Sequence, residues 1–203
     1  MVKPMKQVRR DILKLIQIYI ETEVNFETFN ANFLPSLQEM VQDYTVSDPN
    51  ARDPETLMLF ATILSKEGDQ LSMFLPNIVY GLCEPTLEMI KNDFSQFPEF
   101  REPKFKLIQS MIANCTGGLL NLEPKRFETI VMTVIYATKH KKAEEMDIGL
   151  NSMLELINKI GSEPSVCTIF FKSFYVLILQ ETLDVMTDCF HLSGFKLQTQ
   201  IIQ

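Results

Sequence analysis

In DPETLMLFATILSK, residues 53–66, an acid precedes a proline, and Leu57, Phe60, Ala61 and Leu64 then follow at helical spacing. Proline is tolerated in the first helical turn because its missing N–H would be unpaired there, and an acid beside it suits the positive end of the helix dipole. The same signal recurs at Glu102-Pro103, Glu123-Pro124 and Glu163-Pro164, each ahead of an apolar-periodic run. Four helix starts therefore share one grammar.

Other stripes follow by the 3.6-residue period. A first helix of about five turns after Pro4 presents Val8, Ile12, Leu15, Ile16 and Tyr19 as its core face. After a turn-like ETEVNFETFNAN, a second presents Phe33, Leu37, Met40, Val41 and Tyr44. A fourth has Ile78, Val79, Leu82, Met89 and Ile90, a fifth Phe105, Ile108, Ile112 and Cys115, a sixth Phe127, Ile130, Val131, Val134 and Ile135, and a seventh Leu150, Leu154, Ile157 and Ile160. The eighth, about residues 164–190, contains IFFKSFYVLIL and is apolar nearly all round, as a helix sandwiched between neighbours is. Pairing them gives hairpins at about 5–46, 53–92, 103–141 and 143–190, with a truncated next helix at 194–203. Hairpin spacings of roughly 40 to 50 residues match HEAT or armadillo repeats. The expected fold is all-α: an α-α superhelix, or HEAT-repeat solenoid, of about four antiparallel helical hairpins plus the start of a fifth. Such arrays end in polar caps. Neither end reads as one, so a fragment of a longer solenoid is expected.

Composition narrows the function. Nineteen Lys and Arg against twenty-six Asp and Glu give a net charge of −7, the wrong sign for coating phosphate backbones, so no direct nucleic-acid partner is expected. The longest charge-free stretch, Leu107 to Leu122, is too short for a bilayer span of about 20 residues, and membrane insertion is not expected. MVKPMKQVRRD lacks the apolar region of a secretory signal. Cys83, Cys115, Cys167 and Cys189 are widely spaced and read as buried thiols of a reducing compartment.

No catalytic group, cofactor or metal site is expected. His140, in ATKHKKAEE, reads as a helix-end cation without a local carboxylate partner, and Lys139, Lys141 and Lys142 as a loop compensated by Glu144 and Glu145. Cys189 and His191 form a C-x-H that fits no usual zinc spacing, and His191 reads as a helix end. The Cys115-Thr-Gly-Gly run reads as a hinge or left-handed turn. One stripe is a candidate contact surface: Lys125, Thr129, Met132 and Tyr136, at i, i+4, i+7 and i+11 opposite the apolar face of the sixth helix. Pro85, inside the fourth helix, predicts a kink near Gly81 to Pro85.

KQVRRDILKLI (6–16), ARDPETL (51–57), FLPNIVYGLCEPTLEMIKNDFSQFPEFR (74–101), IYATKHK (135–141) and DVMTDCFH (184–191) resemble the nuclear export receptors of the importin-β/karyopherin superfamily, over nearly the whole chain. The resemblance lies in their C-terminal third, and EMIKNDFSQFPEFR carries most of its specificity. It argues against a general helical-repeat scaffold as the alternative. It implies a receptor that binds export cargo proteins and Ran-GTP, passes nuclear pore proteins and shuttles between nucleus and cytoplasm. The hydrophobic groove for leucine-rich export signals, with its reactive cysteine, would lie N-terminal to this segment, which would form a structural arch.

Overall fold

In the computed structural model, which describes residues 3–23, 25, 27, 29, 31, 33–91 and 96–203, the regular elements are all helical. The helices are α1 (Lys3–Glu23), α2 (Leu34–Val46), α3 (Pro54–Glu67), α4 (Leu75–Ile78), α5 (Glu84–Lys91), α6 (Arg101–Asn114), α7 (Thr116–Leu120), α8 (Pro124–Thr138), α9 (Ala143–Gly161), α10 (Pro164–Met186) and α11 (Phe195–Ile202). Much of the turn-like stretch expected over 21–32 lies outside the described residues. The chain divides into two compact units, 1–118 and 119–203.

In the first unit α1 packs on α3 and α3 on α6, while α2 packs against α4 and the turn that follows it. Helix α3 is the centre of this core: Leu57, Leu59, Phe60, Ile63 and Leu64 are fully enclosed. Each such side chain contributes about 1.5–3 kcal/mol relative to exposure. Asp53 takes the N-cap position of α3 but does not cap it. Its buried carboxylate instead accepts from Arg10 Nε at 2.8 Å, with Arg9 Nε at 3.6 Å, while Arg10 and Lys14 also approach Glu55. The basic N-terminal residues thus tie α1 to the start of α3. Glu123 and Glu163 also stand at N-caps ahead of α8 and α10, without side-chain capping bonds. Helix α6 starts earlier, at Arg101, so Glu102 and Pro103 lie inside its first turn.

The disruption expected around Pro85 is a π-helical turn, Val79–Cys83, between α4 and α5. Proline at 85 leaves the Gly81 carbonyl without its usual i+4 donor. The Thr45 hydroxyl sits between that carbonyl (3.1 Å) and the Val41 carbonyl (2.7 Å) and shares its proton with both. Position 81 must be glycine, since a Cβ there would lie 2.1 Å from Val41 Cγ1.

The expected core face of α1 is a correction. Leu13 and Ile20 are the buried residues, whereas Val8, Ile12, Leu15 (68% exposed) and Tyr19 face outward. They miss the core because α3 meets α1 along the Leu13–Ile20 row, about 100° round from the apolar stripe. A groove of about 510 Å³ between α1 and α2, lined by Met5, Val8, Ile12, Leu13, Ile16 and Met40, is left open.

In the second unit α9 is central, packing on α8, α10 and α11 through Met146, Leu150, Met153, Leu156 and Ile160. Gly149 permits its close approach to α8: a Cβ would lie 2.5 Å from the Thr138 nitrogen. Phe127 of α8 meets Phe170 and Phe174 of α10 edge-on. Helix α10 is not sandwiched as expected. It buries Phe170, Ile178, Thr182 and Val185 and leaves Ile169, Tyr175, Val176 and Leu183 bare. At 23 residues it is also long and apolar enough, by length and composition, to cross a membrane. Counting charge-free residues misses it because Lys172 and Glu181 interrupt the run.

Candidate partner-binding face

Helix α8 is amphipathic: Ile130, Val131, Val134, Ile135 and Ala137 are buried. Their spacing places Lys125, Thr129, Met132 and Tyr136 on the opposite side. Lys125 is exposed, Thr129 half-exposed, Met132 43% exposed and Tyr136 36% exposed. Thr129 donates to the Lys125 carbonyl at 2.9 Å, and Thr133 to the Thr129 carbonyl at 2.7 Å, so both hydroxyls are spent along the helix. Tyr136 stands edge-on to His140, ring centres 6.2 Å apart. The stripe therefore presents a cation, a thioether and an aromatic ring on a rigid helix, groups suited to a protein contact.

The remaining polar groups are tied into the fold. His140 does find a carboxylate, against expectation: its Nε2 lies 3.0 Å from Glu145, five residues on and nearly buried in the first turn of α9. Lys142 is 3.3 Å from Glu144 and 3.5 Å from Glu145, as a compensated loop requires, whereas Lys139 reaches Glu181 of α10 at 2.6 Å. His191 is buried in a 3-10 segment, Cys189–Gly194, with Nε2 3.2 Å from the Lys139 carbonyl and Nδ1 3.3 Å from Asp188. Its ring thus closes the C-terminal end of α8. The side chain of Cys189 lies outside the described residues, and so does its pairing with His191.

Burial pushes the Cys83 and Cys115 thiols up to about 12, away from the thiolate form that nucleophilic chemistry needs. Cys115 has a negative φ (−132°), neither glycine of the run has a positive φ, and α7 begins one residue later, so Cys115-Thr-Gly-Gly is not a left-handed turn. Among the described residues no three His, Cys, Asp or Glu side chains gather as metal ligands would.

The stripe on α8 has counterparts that the sequence reading missed. Val46 at the end of α2, Met73 in the turn before α4 and Tyr80 in the π turn are exposed, at 75%, 94% and 57%. Met73, Asn77, Tyr80 and Glu84 repeat the i, i+4, i+7, i+11 spacing of Lys125 to Tyr136, a signal present in the sequence. In contrast α3, α6 and α9 expose no large apolar side chain.

The architecture is that of an all-α helical repeat, with large apolar side chains exposed on α1, α2, α8, α10 and α11 and absent from the exposed faces of α3, α6 and α9. Comparison with known proteins makes this specific. The chain belongs to the CRM1 C terminal family, which matches residues 1–203. It is 36% identical over 203 residues to Exportin-1 of Schizosaccharomyces pombe, covering 99% of this chain. It is 32% identical to Exportin-1 of Dictyostelium discoideum and 32% to EXPORTIN 1B of Arabidopsis thaliana, covering 98% and 100%. The chain spans about 19% of the length of each of these relatives.

Proposed function

We propose that this chain is the C-terminal arch of a nuclear export receptor, which carries cargo with leucine-rich export signals out of the nucleus together with Ran-GTP. The family match along all 203 residues carries the reading, since the similar relatives are themselves named exportins. The hairpins act as consecutive repeats of one HEAT-type array, and the bare faces of α1 and α10 are the kind of surface on which further repeats stack. The receptor passes nuclear pore proteins and shuttles between nucleus and cytoplasm. Its mechanism is linkage rather than covalent chemistry: cargo and Ran-GTP each favour one curvature of the array, so each strengthens binding of the other. The export-peptide groove lies outside this segment, and the stripe Lys125, Thr129, Met132 and Tyr136 faces a partner.

The test is a chimera in which this chain replaces the matching segment of the fission-yeast exportin. A fluorescent reporter with a leucine-rich signal should leave the nucleus in cells that depend on the chimera. A folded, expressed chimera that leaves the reporter nuclear would overturn the reading.

A further inference from the structure

Two cations in the first turn of α6 lack a counter-charge. Lys104 is 2% exposed, and no carboxylate among the described residues acts on its ammonium. The titratable neighbour that does is Cys83, whose thiol burial pushes up to about 12 and so keeps uncharged at neutral pH. Arg101, three residues earlier, has Nε and Nη2 enclosed and without an acceptor. Glu102, between the two, is turned to Lys106 at 2.8 Å. A guanidinium cannot shed its charge, so the unpaired edge of Arg101 calls for an anion.

The two side chains share a face of the helix. Residues i and i+3 are neighbours, and helical side chains lean towards the N-terminus, so Lys104 extends back over the turn of Arg101. Desolvation lowers the Lys104 ammonium from 10.5 to about 8, so free amine is present at neutral pH. An amine freed in this way, beside a second cation, is a nucleophile. Nε and Nη2 of Arg101 point the same way, and that edge pairs a planar carboxylate through two parallel hydrogen bonds. An electrophile that answers both groups must be small and uncharged to reach so enclosed an amine, and must leave a carboxylate on it. Carbon dioxide meets both conditions.

We infer that Lys104 is a modification site for carbon dioxide, forming a carbamate whose carboxylate is held by the guanidinium of Arg101. The amine lone pair forms the new C–N bond, one C=O π pair moves onto oxygen, and the nitrogen gives up a proton to water. The step needs no oxidant and no cofactor. It turns two unpaired cations into one ion pair at a helix N-terminus, where negative charge is favoured. The inference does not depend on the receptor reading.

The test equilibrates the 203-residue chain with 13C-bicarbonate at about pH 8, where half of Lys104 is free amine, and reads it by 13C NMR. The adduct is then trapped with triethyloxonium and mapped by tandem mass spectrometry. The parent chain should show a carbamate resonance that Lys104→Met lacks, and an ethylated carbamate on Lys104 but not on the exposed Lys125. Arg101→Gln should lower the occupancy about tenfold, the worth of one charge-assisted hydrogen bond, with an unchanged CD spectrum. Should that variant not fold, Arg101→Lys keeps the charge without the fork and should also lower it. An adduct confined to the N-terminal amine, equal labelling of Lys125, or full occupancy without the Arg101 fork would each overturn the inference. Failure of the exportin chimera would not move these outcomes, so the two readings fail separately.

Discussion

The guanidinium of Arg52 donates to the carbonyl of Pro85 at 3.0 Å, across 33 residues of sequence. It also donates to the Tyr44 and Thr45 carbonyls at the end of α2, at 3.1 and 3.3 Å, and lies 5.3 Å from the centre of the Tyr44 ring. One buried cation therefore closes the C-terminal end of α2, where the helix dipole favours positive charge, and pins α5 beside it.

Arg52→Met should cost about 3 kcal/mol in urea unfolding of the 203-residue chain, because three carbonyls lose a charged donor. Arg52→Lys should recover less than half, since an ammonium cannot serve three acceptors spread over a planar fork. A loss below about 1 kcal/mol in Arg52→Met would show that water replaces the guanidinium without penalty.

This relationship marks the limit of what the sequence discloses. The periodic runs of α3, α5, α6 and α8 are legible because a helix buried on one side must repeat its apolar residues every 3.6 positions. Pro85 points to an interruption for the same local reason. Nothing local says that Arg52 is buried, since its three acceptors become neighbours only when two hairpins pack. For α1 the period gives the helix but not the buried side, because Met5, Val8, Ile12, Leu15 and Tyr19 form a more continuous apolar row than Leu13 and Ile20. The stripe on α8 is legible as the face opposite a clear core. Met73 and Tyr80 share its spacing, but Pro76 and Pro85 interrupt the run, and the two residues stand in a turn and a π turn on either side of α4.

The inverted face of α1 makes a direct contrast. Leu13→Ala and Ile20→Ala should each destabilise the chain by about 2–4 kcal/mol, the usual cost of emptying a core position. Ile12→Ser with Leu15→Ser should change unfolding by less than about 1 kcal/mol and lower binding of the dye ANS, because these side chains are already in water. The opposite ranking in urea melts would restore the row beginning at Val8 as the core face.

For α8, Lys125→Ala with Tyr136→Ala should leave the helical CD melt within about 2 °C of the parent, as exposed positions do. If the stripe serves a partner, the same variant within a full-length receptor should slow reporter export. A marked fall in melting temperature would instead make Tyr136 and its contact with His140 part of the fold.

Lys104 gives the pH dependence. It is nearly buried in the first turn of α6, and that burial lowers its ammonium pKa from 10.5 to about 8. Between these values the unfolded chain holds a proton that the folded chain has released, so stability due to this residue rises as pH goes from about 8 towards 10.5. Below pH 8 the folded chain carries a poorly solvated cation, a penalty of roughly 3 kcal/mol. The Cys83 and Cys115 thiols work the other way above pH 9, because their raised values keep protons in the folded state. The difference between the parent chain and Lys104→Met cancels most of that thiol contribution. Lys104→Met should therefore be the more stable at pH 7, with its advantage shrinking steadily from pH 8 to 10 in urea titrations. An advantage that stays constant with pH would mean the gain comes from packing of the methionine and that Lys104 folds with its charge solvated.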